Sequence, residues 1–213
     1  MKKYCIFISL LLITSVLLTG CANPSYFRRN EQFEPIAWLK IAVLPFTGDV
    51  RFTQVSTDTF NLHLLNQKDF KILTPSTIEV AIRKVIAIEE TGREFTVLQA
   101  QKIGELVNAE AVFIGNVTSY SNGLTLNGFS TVKLIDIKTG EIIAVSHKPS
   151  GLLFGWSEHQ AVVTAVERTA KDMLKVLKEL AIKNKVSKEL SSPEGIINPN
   201  KRESGSSTQE SSL

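Results

Sequence analysis

AVFIGNVTSY (111–120), FSTVKLIDI (129–137) and EIIAVSH (141–147), with KTG (138–140) joining the last two, decide the fold class of this chain. The first string is β-branched and aromatic and runs into Ser121-Asn122-Gly123, a turn signal. The second alternates, with Val132 and Leu134 set against Thr131 and Lys133, and Lys138-Thr139-Gly140 reads as a hairpin turn into a third strand. Three consecutive strands therefore form an antiparallel meander.

Working outward towards the N-terminus, WLKIAVLPF (38–46) is a short apolar run stopped by Pro45 and Gly48. Its length and Ile/Val content suit a buried strand. Phe52, Val55, Thr59, Leu62 and Leu65 then recur at three- and four-residue steps, predicting one face of a helix, and FKIL (70–73) reads as a second short strand. Strand, helix, strand is a parallel crossover unit.

Three sites fit the capping box: Ser76 with Glu79, Thr96 with Gln99, and Ser157 with Gln160. Ile78, Ile82, Val85 and Ile86 follow the first, and Val97, Ala100, Ile103, Leu106 and Val107 the second. A last helix from Ser157 to about Lys183 places Val162, Ala165, Val166, Thr169, Met173, Val176, Leu177 and Leu180 on one stripe. The expected fold is a single α/β domain, residues 37–183, with a mixed parallel/antiparallel sheet covered by helices in the order β-α-β-α-α-β-β-β-α.

The ends differ in composition. Lys2 and Lys3, an apolar run from Ile6 to Leu18 and small residues before a cut describe a signal peptide over 1–20, too short for a membrane span. Leu18-Thr19-Gly20-Cys21 resembles the lipobox of bacterial lipoproteins. That resemblance implies that Cys21 carries a diacylglyceryl thioether and an N-acyl chain such as palmitate. It also implies the outer membrane, because Ala22 stands where an aspartate would favour retention in the inner one. Residues 21–36 then read as a lipidated N-terminus and flexible tether. Its fourteen residues from Ala22 to Pro35 reach roughly 45–50 Å when extended. Residues 184–213 read as a disordered polar tail whose charges cancel.

Composition narrows the function classes. The formal net charge is +3, from 24 basic and 21 acidic residues, and loss of Lys2 and Lys3 brings it to +1. No clustered Lys/Arg builds a nucleic-acid footprint. Cys5 leaves with the signal and Cys21 is taken by lipid, so no thiol remains for a disulfide, a metal or a nucleophile. His63, His147 and His159 have no metal spacing and read as solvated surface residues. There is no G-x-S-x-G and no P-loop, and Glu89 with Glu90 point about 100° apart on a helix. No cofactor, metal, catalytic residue or small-molecule substrate is expected, and the protein is expected not to be an enzyme. The local anomaly is GLLFGW (151–156). Leu152, Leu153, Phe154 and Trp156 either close the core edge, with Trp156 stapled onto the last helix, or form a contact surface.

KIAVLPF (40–46), FKIL (70–73), GELVNAEAVFIGNVTSY (104–120) and VKLIDIKTGEIIAVS (132–146) resemble the CsgG superfamily, over about residues 38 to 181. The superfamily includes the curli-secretion lipoprotein and LpoB-type activators of penicillin-binding proteins. The resemblance implies an interaction domain held to the outer membrane, facing the periplasm, and working with envelope proteins or by self-association. Its setting would be a secretion apparatus, a surface appendage or a peptidoglycan synthase. The alternative it implies is a ring-forming subunit of a curli-type export channel. The spacing departs from that alternative: residues 47–50, 123–129 and 148–156 are each too short for a membrane hairpin, which needs about 9–11 residues per strand.

Overall fold

Among the described residues, strand β5, Ala111–Ser121, is the axis of a seven-stranded sheet. A computed structural model describes residues 25–33, 40–65, 69–85, 93–121, 126–151 and 157–191, the last nine of these by backbone alone. On one side β5 pairs in parallel with β2, Lys40–Val43, which pairs in turn with β4, Lys71–Ile72. On the other it pairs antiparallel along its whole length with β6, Leu126–Asp136, and β6 pairs with β7, Ile142–Pro149. The expected crossover strands, β2 and β4, and the expected meander, β5 to β7, thus lie side by side through the β2–β5 pairing, and the expected mixed sheet is the observed one.

Helix α1, Thr53–Leu64, connects β2 to β4, while α2, Pro75–Val85, and α3, Val97–Leu106, connect β4 to β5. The two crossovers lie on opposite faces. Ile41 and Val43 enter one apolar cluster with Phe60 and Leu64 of α1, whereas Ala42 and Leu44 enter another with Ile78, Ala100 and Ile103 of α2 and α3. The long α4, Glu158–Ser191, crosses β6 and β7 on the α1 face. Its predicted stripe is the buried one, with Val162, Ala165, Val166, Thr169 and Met173 fully inaccessible. A Cβ on Gly128 would stand 2.5 Å from the Ala161 backbone carbon, so a glycine lets α4 approach β6.

Several expectations need correction. Tyr26–Arg29, inside the stretch read as a tether, forms an edge strand, β1, paired antiparallel with β7. Asn30 extends the ladder to Ile143, Arg29 is bonded to Glu179 of α4, and Phe33 is buried in the core. An edge strand with an Arg on each face shows no apolar alternation, so periodicity cannot reveal it. The final helix continues to Ser191 rather than ending near 183, through residues such as Lys188, Glu189 and Leu190 that favour helix without needing a core.

The stripe of α1 is also rotated from the expected one. Ser56, Thr57, Phe60 and Leu64 are buried, while Leu62 and Leu65 are each 66% exposed. Thr57 can be buried because its hydroxyl donates to the Thr53 carbonyl and accepts the Phe46 amide, at 2.8 Å in each case. Thr96 and Gln99 form the predicted reciprocal capping box, and Ser157 accepts the Gln160 amide. Ser76 does not cap: α2 begins one residue earlier at Pro75, a residue suited to the first helical position, and Glu79 pairs instead with Arg83. Thr47–Gly48, read as a connection, forms a short strand, β3, beside Asn116 and Val117 of β5.

Candidate functional site

Cys21 and the loop residues Leu152, Leu153, Phe154 and Trp156 lie outside the described residues, as does the Glu89–Glu90 pair. The site is therefore built from what the fold itself presents. Open α/β sheets place ligands beyond the carboxyl ends of their strands, where the strand order reverses. In this sheet that point lies between β2 and β5, and β3 occupies it. Gly48, at φ +104°, carries the chain out of β3, and the Asp49 amide donates to the Val117 carbonyl at 2.9 Å.

The charged groups beside β3 satisfy one another. Arg51 grips Asp49 with Nε at 3.0 Å and Nη2 at 2.7 Å and reaches Glu158 at the start of α4 at 2.8 Å. Ser119 donates to the same Asp49 carboxylate at 2.9 Å. The Arg51 hydrogen bonds hold the Asp49 pKa down at about 2, and Asp49 raises that of Arg51. A carboxylate so stabilised is a poor general base, and no histidine lies between it and Ser119. The cluster is a clasp that joins the end of β5 to the start of α4. Among the described residues, no three His, Cys, Asp or Glu side chains stand together as a metal site. A shallow groove of about 280 Å³ between α2 and α3 is lined by apolar residues with Thr77 and Lys84.

The remaining feature is the second face of the antiparallel half. Helices α2 and α3 cover the β4–β2–β5 side and reach β6 only at its Ile135–Ile137 end, so among the described residues no helix covers the rest of β6, β7 and β1 on the face away from α4. The register places Asn116, Thr131, His147 and Tyr26 in one row across β5, β6, β7 and β1. Thr118, Phe129 and Pro149 form the next row, and Lys133, Val145 and Arg28 the one on the other side. Ring stacking ties the rows together: His147 lies 5.2 Å from Tyr26 and 6.0 Å from Phe129, at interplanar angles of 15° and 18°.

His147 is thus not the solvated surface residue that spacing implies. Its Nδ1 is 2.8 Å from the Thr131 hydroxyl, and burial between two rings pushes its pKa down. Tyr26 is 45% exposed, and Arg28 and Thr118 are exposed as well. Aromatic rings, one imidazole and hydroxyls, flanked by Arg28 and by Lys133 in its ion pair with Glu94, are the composition of a contact surface. Sequence reading missed it because its central row draws on four strands, one of them β1. The signal that was present is the polar phase of the alternation in β6, Thr131 and Lys133.

No protein-family model matches this chain, and no curated protein matches it. Solved structures do resemble it in backbone arrangement. A PelC dodecamer from Paraburkholderia phytofirmans is similar at 14% identity and a TM-score of 0.42, over 69% of this chain and 97% of that one. The LpoB C-terminal domain from Salmonella enterica is similar at 17% identity and a TM-score of 0.43, over 55% and 87%. A lipoprotein from Neisseria meningitidis is similar at 13% identity and a TM-score of 0.44, over 64% and 96%.

Proposed function

We propose that this chain is an outer-membrane lipoprotein of the CsgG-superfamily kind, acylated on Cys21, whose periplasmic domain works by protein–protein contact in cell-envelope assembly or regulation. The observation that carries the reading is the second face of the antiparallel half, where Tyr26, His147 and Phe129, from two neighbouring rows, stack in a partly exposed cluster. A solvated sheet face normally shows polar side chains; aromatic rings held there in mutual contact are suited to a partner surface. Confinement by the lipid raises the effective concentration of that face at an envelope machine, so modest affinity suffices. The catalytic alternative finds no support at the switch point, where Arg51, Asp49, Ser119 and Glu158 engage one another. The export-channel alternative would require longer hairpins: beyond the last β6–β7 pair, Phe129 with Pro149, β6 continues through Leu126–Gly128 among the described residues.

The test is a photo-crosslinking side chain in place of Thr131, on the open face, compared with one at exposed Lys175 on α4. In cells producing the full chain, a discrete adduct of one envelope protein is expected from position 131 and not from 175. Adducts from 175 alone, or none from 131 in cells where the protein is acylated, overturn the reading of this face. Palmitate labelling that persists in Cys21→Ser overturns the anchor.

A further inference from the structure

Once β1 is part of the sheet, the lipid anchor and the domain lie close together. Five residue steps separate Cys21 from Tyr26, and whatever their conformation they span at most ~17–18 Å. The strand they lead into is pinned by its ladder to β7, by the Arg29–Glu179 ion pair and by buried Phe33. Ser25 precedes Tyr26 on the side of the sheet towards which the β5–β6 hairpin projects. From the row that contains Tyr26, β5 runs on from Asn116 to Ser121, a further ~17 Å at about 3.3 Å per residue. Fully extended, the leash is therefore about as long as the projection beside it.

The side chains at that end suit a lipid surface. Tyr120 is 59% exposed and Val50 at the β3–α1 turn 77%. Tyrosine is at home at a headgroup boundary, with its ring among apolar groups and its hydroxyl in water. The carboxylates of Asp49 and Glu158, at the same end, are both engaged by Arg51, which limits their repulsion of anionic headgroups.

We propose that the hairpin end of the domain is a membrane-seating surface, with Val50 and Tyr120 at the headgroups of the bilayer that holds Cys21. The inference rests on the reading of Cys21 as the lipidated residue. In this arrangement the strands stand up from the membrane, and the open face of β6, β7 and β1 looks sideways into the aqueous space rather than into lipid. The leash then sets orientation, not reach.

The mature chain has no thiol besides Cys21, so single cysteines report position. Tyr120→Cys at the hairpin end and Lys138→Cys at the exposed β6–β7 turn, at the opposite end, would carry the same fluorophore. The acylated proteins would be placed in phosphatidylethanolamine/phosphatidylglycerol vesicles bearing nitroxide on the acyl chains. Quenching at 120 is expected to exceed that at 138 several-fold. Equal, weak quenching at both positions in protein that carries palmitate overturns the seating and leaves the anchor standing. Absence of palmitate from Cys21 overturns the anchor and the seating together. Should Tyr120→Cys fail to fold, Val50→Cys gives the same readout from a more exposed position.

Discussion

The two halves of the sheet share β5 and differ in what covers them. In the parallel half, successive residues of β2 alternate between two helical layers, and Ile41, Ala42, Val43 and Leu44 are all buried. In the antiparallel half, Val132 and Leu134 are buried under α4 while Thr131 and Lys133 look outward. Strands buried on both faces read as continuous apolar runs, and strands buried on one face alternate. The difference teaches where function can sit. The parallel half uses both of its faces for stability, whereas among the described residues most of the antiparallel half has a helix on one face alone.

Even the covered face of the antiparallel half is more polar. Ser130 and Thr169 meet at 3.0 Å, Ser146 donates to Asp172 at 2.7 Å, and Lys148 reaches the same carboxylate at 3.1 Å. Such bonds contribute modestly to stability but are costly to leave half made, so they hold α4 in one register over β6 and β7.

The sharpest way to break the comparison is a pair of truncations in adjacent strands. Phe113→Ala removes a fully buried ring packed edge-on against Phe60 at 5.2 Å, and a loss of about 3–5 kcal/mol is expected in urea denaturation. Phe129→Ala, on the open face, removes one stacked partner of His147 and should cost ~1 kcal/mol. Equal losses would mean that the open face is packed as tightly as the closed one.

A smaller effect tests the edge strand. Arg29→Met removes the ion pair to Glu179, whose side chains are 17% and 41% exposed, and should cost about 1 kcal/mol. Hydrogen exchange of the Phe27–Arg29 amides should accelerate while β5 amides stay protected. Unchanged exchange in β1 would show that its ladder and Phe33 hold it without the ion pair.

The smallest expected effects are in pH dependence, and the two sites occupy different windows. His147 has a lowered pKa because burial disfavours its charged form, so it contributes stability that is complete above the unfolded value of 6.5 and is lost as pH falls through the folded one. His147→Gln should flatten the melting temperature from about pH 7 downward through the weakly acidic range. Asp49, at about 2 when folded against 3.8 unfolded, contributes stability that is complete above about pH 4 and lost towards pH 2. Asp49→Asn should flatten only that more acid window. A His147→Gln profile parallel to the wild type would remove the imidazole as a titrating part of the open face.

Much of the architecture was legible because it follows from burial. The stripe on α4, the alternation in β6, the continuous run in β2 and the capping box at Thr96 each reflect a local pattern that one partner layer requires. The stripe of α1 misled for the opposite reason. Counting apolar residues favours Leu62 and Leu65, but the buried face carries Ser56 and Thr57, which are small or internally hydrogen-bonded and leave room for helix contacts. Strand β1 was illegible because an edge strand owes its place to backbone hydrogen bonds and an ion pair 150 residues away, neither of which marks the sequence. The candidate site was illegible with it.

By itself, then, the sequence determined the α/β class, the order of most elements, the faces of the strong helices and the expectation of a lipid on Cys21. All of these are written in period, turn chemistry or short linear motifs. Only the tertiary structure decided that the N-terminal segment is an edge strand, that His147 stands between Tyr26 and Phe129, and that one face of the antiparallel half is left open. These depend on which strands become neighbours, and neighbours across a sheet are chosen by long-range pairing.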